Sequence, residues 1–136
     1  MELDSPPTPL RVLIADSSEG NTNTWSELLE EYDDFEIVGH ARTAVETLSL
    51  TEKLQPELLL LDMEMLGEMF GCVVKLIKAY PKPPVLVVLI PYASAVFAER
   101  CFTLGADYTH AKTANPEYLT DTLLKFNATK TRSVRL

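Results

Sequence analysis

The chain has 136 residues, 46% hydrophobic and 24% charged, a mixture that suits one globular domain with a real core and leaves no room for two. Its formal net charge of -8 and pI of about 4.7 argue against direct binding to nucleic acid, which needs a basic face. No run approaches the ~20 apolar residues that span a bilayer. "MELDSPPTPL" also reverses the basic start and apolar centre of a signal peptide, so a soluble, cytoplasmic protein with no membrane partner is expected.

Residues 1–9 read as a disordered tail. "RVLIAD" from Arg11 is a short apolar run ending in an acid, a strand, and "SSEGNTNT" after it is a polar loop rich in capping residues. Trp25, Leu28, Leu29 and Tyr32 fall at helical spacing with Glu27, Glu30 and Glu31 opposite, which predicts a first helix with Trp25 in the core. "FEIVGHA" is a second strand. Thr43 and Glu46 have capping-box spacing for a helix that runs to about Leu54 and stops before Pro56.

"ELLLLD" is the third strand, and Met69, Phe70, Val73, Val74 and Ile77 mark the next helix. "YPKPP" punctuates before the apolar "VLVVLI". Ser94 can cap a helix through Leu104 that Gly105 closes. "ADYTHA" is a short fifth strand. Asn115, Pro116 and Glu117 supply a cap, a proline at the first helical position and a dipole-matching acid for a last helix ending near Phe126. The basic residues Lys125, Lys130, Arg132 and Arg135 sit at this end, and 127–136 reads as a solvated basic tail after a domain spanning 10–126.

Strands alternate with helices, and the central strands are apolar at every position, as they are when helices cover both faces of a parallel sheet. The expected fold is α/β: a five-stranded parallel sheet in the flavodoxin-like order 2-1-3-4-5, with five helices on its two faces. In such sheets the site lies beyond the carboxyl ends of the strands. Asp16, Asp62 and Lys112 fall there, on the first, third and fifth strands. Two carboxylates and an ammonium can hold a divalent cation and carry a phosphoryl group, the aspartate acting as nucleophile. An aspartate after an apolar strand can also simply cap the next turn.

These segments resemble the response-regulator receiver domain of two-component signalling, in an atypical form, over roughly Leu10 to Phe126. "VLIADS" is similar to the family's first strand with its acidic pair, "PELLLLDMEMLGEMFG" to the segment carrying the phosphoaccepting aspartate, and "GADYTHAKT" to the stretch ending in its lysine. The resemblance implies that Asp62 accepts a phosphoryl group from a histidine kinase or phosphotransfer protein. It implies that Asp16, Asp62 and the backbone carbonyl of Glu64 hold Mg²⁺, and that Lys112 pairs with the phosphoryl oxygens. It further implies a non-enzymatic, single-domain signalling protein. Such a protein would act on a downstream partner, or dimerise, through the face of the fourth helix, fifth strand and fifth helix.

Several positions depart from the family pattern. Ser17 stands where a second acid is usual, which should weaken Mg²⁺ binding, and Glu19 or the Glu64 side chain are candidates to make up the charge. Ile90 aligns with a switching threonine or serine and cannot donate. A hydrogen bond to a charged group is worth roughly 1.5–3 kcal/mol, against about 5.5 kcal/mol needed to invert a 1:99 equilibrium. Thr109 replaces a switching aromatic, for which neighbouring Tyr108 is a candidate, and Leu66 and Thr113 replace prolines. Of the nearby aromatics Tyr92, Phe97, Phe102, Tyr108 and Tyr118, most are expected in the core, with Tyr108 and Tyr118 as the candidate partner surface.

A phosphorylation-independent pseudo-receiver is therefore the competing reading. A haloacid-dehalogenase-type phosphatase is a remote one, because Asp62 and Glu64 only loosely imitate its paired acids. An FMN-binding flavodoxin shares the topology, but "SSEGNTNT" in this chain only faintly resembles its phosphate-binding loop. His40, at the end of the second strand, and His110, in the fifth, have no partner at ligand spacing and read as structural or surface residues. Cys72 and Cys101 read as free, buried thiols.

Overall fold

All five residues of Leu58–Asp62 are buried, and the rest of the architecture is arranged around that strand. The computed structural model describes residues 8–135, with side chains through 128; the first seven residues of the expected tail lie outside the described residues. The strands are β1 (Leu10–Ala15), β2 (Phe35–Ala41), β3 (Leu58–Asp62), β4 (Val85–Ile90) and β5 (Tyr108–Ala111). All neighbours pair in parallel, in the order β2-β1-β3-β4-β5. The helices are α1 (Glu19–Glu30), α2 (Ala44–Leu54), α3 (Phe70–Lys78), α4 (Ala95–Leu104) and α5 (Pro116–Arg135). A one-turn helix, Met63–Leu66, and a tight turn, Gly67–Met69, join β3 to α3.

Side-chain alternation along each strand divides the core in two. Leu13, Leu59, Leu61, Leu86 and Val88 meet Phe70, Val73, Val74 and Ile77 of α3 on one face. Val12, Ile14, Leu58, Leu60, Val87 and Leu89 meet Trp25 and Leu29 of α1 and Leu119 and Leu123 of α5 on the other. Trp25 is therefore core, as its helical spacing predicts.

The helix starts follow the predicted capping chemistry. Amides of Asn21, Glu46 and Phe97 donate to the side chains of Ser18, Thr43 and Ser94 at 3.2, 3.1 and 3.2 Å. The Asn115 side chain accepts from Glu117 at 3.0 Å. The capping box at Thr43 is shifted: the Glu46 carboxylate accepts from the amide of Arg42, at 2.7 Å, instead of that of Thr43. At the far end of α2 the Arg11 guanidinium donates to the carbonyls of Leu54 and Gln55 at 2.7 and 2.8 Å, which satisfies acceptors that a helix end leaves open. Gly105, at φ 120°, ends α4 as expected.

Four expectations need correction. The last helix does not stop near Phe126 but continues to Arg135, since no glycine or proline interrupts "NATKTRSVR". Asn127 is buried and its side-chain amide reaches the carbonyl of Asp34 at 3.2 Å, so at this position the helix is still packed on the domain. Cys72 is exposed, because it faces away from the sheet while its neighbours Val73 and Val74 face in; Cys101 is buried. Met69 is 52% exposed and precedes α3 instead of anchoring it. Tyr92 and Phe102 are also exposed, because they sit on the outer side of the β4–α4 connection and of α4.

His110 lies in β5, buried, with its ring edge-on to Trp25 at a centroid distance of 5.7 Å. Its Nε2 is buried without a hydrogen-bond partner, and burial holds its pKa below the ordinary 6.5. The unfolded chain then binds the proton first as pH falls, so the contribution of His110 to stability is complete above 6.5 and lost as pH falls through that value toward the lower folded one. In urea unfolding measured on either side of this window, wild type should lose more stability on acidification than His110→Phe; equal losses would contradict the assignment. Leu60→Ala, at a fully buried site in the central strand, should cost about 2–5 kcal/mol in the same assay.

Candidate functional site

Parallel pairing places every strand's carboxyl end at one edge of the sheet, and the residues there are short-range products of strand exits. Asp16 follows β1, Asp62 ends β3 and Lys112 follows β5. The Asp16 amide donates to the carbonyl of Ala41 at 2.9 Å, and the Lys112 amide to the carbonyl of Ile90 at 2.8 Å, so both backbones are still held by the sheet when their side chains emerge.

Asp62 is 3% exposed. Lys112 Nζ donates to its Oδ1 at 2.8 Å, and the amide of Glu64 approaches the same oxygen at 3.2 Å. The ammonium also reaches Oε1 of Glu64 at 3.2 Å. Lys112 thus bridges a buried carboxylate and a carboxylate that is 59% exposed at the rim. Burial pushes the Asp62 carboxyl above its ordinary 3.8, and the charge of Asp16 adds to this, while the hydrogen bond and charge of Lys112 oppose it without cancelling it. Burial pulls the Lys112 ammonium down, yet the hydrogen bond and charge of Asp62, with Glu64 and Asp16, more than offset it and hold its pKa above 10.5. The ammonium is the fixed charge of the site.

Asp16 is 1% exposed. Its Oδ1 accepts from the amide of Ser18 at 2.8 Å, while Oδ2 is buried with no hydrogen-bond partner. An acceptor left bare in a buried position is costly unless a cation or water satisfies it. Ser17 and Glu19 are both exposed. Among the described residues no group of three or more His, Cys, Asp or Glu side chains is arranged to hold a metal ion.

Asp16, Asp62 and Lys112 therefore come together as the spacing predicts. On β4 the register partner of Asp62 is Leu89, and Ile90 follows it with its side chain among the α3-side core. Both are buried and neither carries a hydroxyl. Thr109 is half-buried opposite Val88, and Tyr108 packs partly against the Trp25 side of the core. Tyr118 is 67% exposed. His40 is exposed at the edge of the sheet, with Nε2 2.9 Å from the Ser26 hydroxyl, and takes no part in the site. The Glu64–Lys112 pair was missed by sequence reasoning, which weighed the Glu64 side chain only as replacement charge for a metal. Its sole signal is an acid two residues beyond a strand-terminal aspartate.

No described helix is long and apolar enough to cross a membrane. The response regulator receiver domain model matches residues 12–124. A transcriptional regulatory protein of Bacillus subtilis, YhcZ, named as uncharacterized, is 30% identical over 115 residues, covering 83% of this chain and 53% of that protein. The chain spans about half or less of the curated relatives it matches. The structure of a two-component response regulator of the LuxR family from Aurantimonas sp. SI85-9A1 superimposes with a TM-score of 0.80 at 18% identity, over 88% of this chain and 86% of that one. In the crystal structure of the P1 domain of CheA3 in complex with CheY6 from R. sphaeroides, the matching chain has a TM-score of 0.71 at 26% identity, over 89% of this chain and 98% of that one. A buried carboxylate, an ion-paired lysine and a second carboxylate at the open edge of a 2-1-3-4-5 parallel sheet agree with that match, and the chain belongs to the response regulator receiver domain family of two-component signalling.

Proposed function

We propose that Asp62 accepts a phosphoryl group in a two-component phosphorelay, from a histidine kinase or phosphotransfer domain, and that the protein acts in the cytoplasm through partner binding and turns over no substrate of its own. The observation that carries this reading is the Asp62–Lys112 pair, a 3% exposed carboxylate held 2.8 Å from an ammonium at the open end of the sheet. In the step proposed, an Asp62 oxygen attacks the phosphorus of a phosphohistidine. The P–N bond breaks, the histidine nitrogen keeps the bonding pair and takes a proton, and an acyl phosphate forms. Lys112 then exchanges a carboxylate for the phosphoryl oxygens. A relative 26% identical over most of this chain occurs in a complex with the P1 domain of CheA3, which supports a donor of that kind here.

The donor set fits Mg²⁺ in part. The bare, buried Oδ2 of Asp16 and the Asp62 carboxylate are hard oxygen ligands, and the backbone carbonyl of Glu64 is the third ligand in this reading. Ser17 offers a neutral hydroxyl where another acid would bind more strongly. When bound, the ion would neutralise charge on the transferring phosphoryl group. The partner surface in this reading is the α4, β5 and α5 face, where Tyr118 is 67% exposed, alongside Tyr92 and Phe102; Tyr108, partly packed inward, contributes less. Its occupant is a downstream protein or a second copy of the chain.

The absence of a hydroxyl at Leu89 and Ile90 favours the second reading, a pseudo-receiver that binds partners without phosphate. Incubation with acetyl phosphate and Mg²⁺ separates the two. Intact mass should rise by one phosphoryl group in wild type and not in Asp62→Asn, and an unmodified wild type would leave the pseudo-receiver.

Asp16→Asn tests the electrostatics. The raised pKa of Asp62 means that the folded chain holds this proton more tightly than the unfolded one. The stability it contributes below 3.8 is thus lost as pH rises through the folded value. Removing the neighbouring charge should therefore raise stability at neutral pH. It should also abolish the rise in thermal midpoint that Mg²⁺ gives wild type; a variant still stabilised by Mg²⁺ would remove Asp16 from the ligand set.

A further inference from the structure

Lys112 is shared between two carboxylates of unlike character, and the difference between them suggests how occupancy of the site is reported. We propose that Glu64 is the resting occupant of Lys112 at the rim, and that a phosphoryl group on Asp62 displaces it. Displacement loosens the Met63–Met69 connection around two points that stay anchored, the Glu64 backbone carbonyl and the buried side chain of Leu66, so that this segment, and not the β4–α4 connection, carries the signal. The inference rests on the phosphoacceptor reading of Asp62 and adds its route of output.

Three observations support it. The first is the geometry of the pair. The Glu64 carboxylate is 3.2 Å from Lys112 Nζ and 59% exposed, so its attraction is that of a surface ion pair and is easily exchanged. The buried Asp62 partner, at 2.8 Å, is the stronger hold. Phosphorylation replaces the single charge on Asp62 with a phosphoryl group of charge about -1.5 to -2 and three strong acceptor oxygens. These oxygens compete for the ammonium's donors and repel the Glu64 carboxylate at the same time.

The second is the mechanical freedom of the segment that carries Glu64. Its amide is held to Asp62 Oδ1 by a bond of 3.2 Å that weakens when the carboxylate becomes an acyl phosphate and loses its charge. The one-turn helix Met63–Leu66 ends at Gly67, whose φ of +54° few other residues adopt, and no atom lies within 4 Å of where a Cβ would stand. Gly67, Glu68 and Met69 are all exposed, so this turn can move while Leu66, 5% exposed, stays in the core.

The third is the state of the alternative route. Leu89 and Ile90 are 0% and 3% exposed, packed on opposite faces of the sheet, and have no group that can turn toward a phosphoryl oxygen. A rearrangement there has no hydrogen bond to drive it, whereas the Glu64 side needs only the loss of an exposed ion pair.

Hydrogen exchange by mass spectrometry, with and without beryllofluoride and Mg²⁺, tests the proposal on the full chain, with fluorine NMR recording uptake of the phosphoryl mimic. In wild type, uptake should raise exchange across 63–69 several-fold and leave 91–95 nearly unchanged. Glu64→Gln, an exposed substitution that should not disturb folding, should show raised exchange across 63–69 before beryllofluoride is added and a smaller response afterwards. Uptake accompanied by a response confined to 91–105 would overturn the inference and leave the phosphoacceptor reading intact. No uptake by wild type would overturn both.

Discussion

Burial of β3 on both faces is the constraint from which the remaining arrangement follows. Five consecutive buried residues cannot sit at an edge or on a solvated sheet face, so β3 must be central, with a layer of helices on each side. Two helical layers require crossover connections, crossovers make the pairing parallel, and parallel pairing gathers all strand exits at one edge. Leu59 and Leu61 belong to the α3 side of the core and Leu58 and Leu60 to the α1 and α5 side, so the four leucines tie both layers to one strand. Asp62 is the fifth residue of that strand. Its burial is a consequence of its position.

That position sets the charge balance of the edge. A carboxylate 3% exposed beside another that is 1% exposed is unfavourable, and the raised pKa of Asp62 expresses it. Lys112 is the compensation, and the cost is only partly met: Asp16 keeps one buried oxygen without a partner. Packing is most regular in the strands and least satisfied where they end. The unmet acceptor and the exposed turn at Gly67 both lie within this small region, while the opposite ends of the strands are closed by bonds such as those from Arg11 to Leu54 and Gln55. Such a division, stability at one end and unsatisfied groups at the other, is expected of α/β sheets that bind at their carboxyl edge.

Much of this was legible in the sequence because the signals are local. Apolar runs located the five strands, and Thr43, Ser94 and Asn115 marked helix starts by the same side-chain bonds that the structure contains. The strand order followed from topology rules and not from any residue. What escaped depends on direction or distance. Cys72 lies in a helix whose apolar face is supplied by Phe70, Val73, Val74 and Ile77, so it points outward, and composition alone carries no such information. The helical turn Met63–Leu66 has the wrong length for a periodicity argument. The extension of α5 lacks an apolar pattern beyond Phe126, but contains nothing that stops a helix. The bridge from Lys112 to Glu64 joins residues 48 apart in the chain, a pairing set by the fold and by no local pattern.

The departures at Ser17 and at the end of β4 act on different terms of the same equilibrium. In the phosphoacceptor reading, a neutral residue at 17 would lower the affinity for a cation and so the fraction of sites in which phosphoryl charge is neutralised. Leu89 and Ile90 leave that chemistry alone and remove a contact that would distinguish two conformations. A ligand shifts a conformational equilibrium only by the difference in its interactions with the two states. In the phosphoacceptor reading, the lack of a β4 hydroxyl would remove roughly 1.5–3 kcal/mol of that difference, and the remainder would come from groups that the phosphoryl charge reaches directly. At this edge those are Lys112 and the acid paired with it. In the route proposed, the exposed and weak Glu64 pair would set a low threshold for exchange, and the bond from the Glu64 amide to Asp62 would turn a change of ion-pair partner into a movement of the chain.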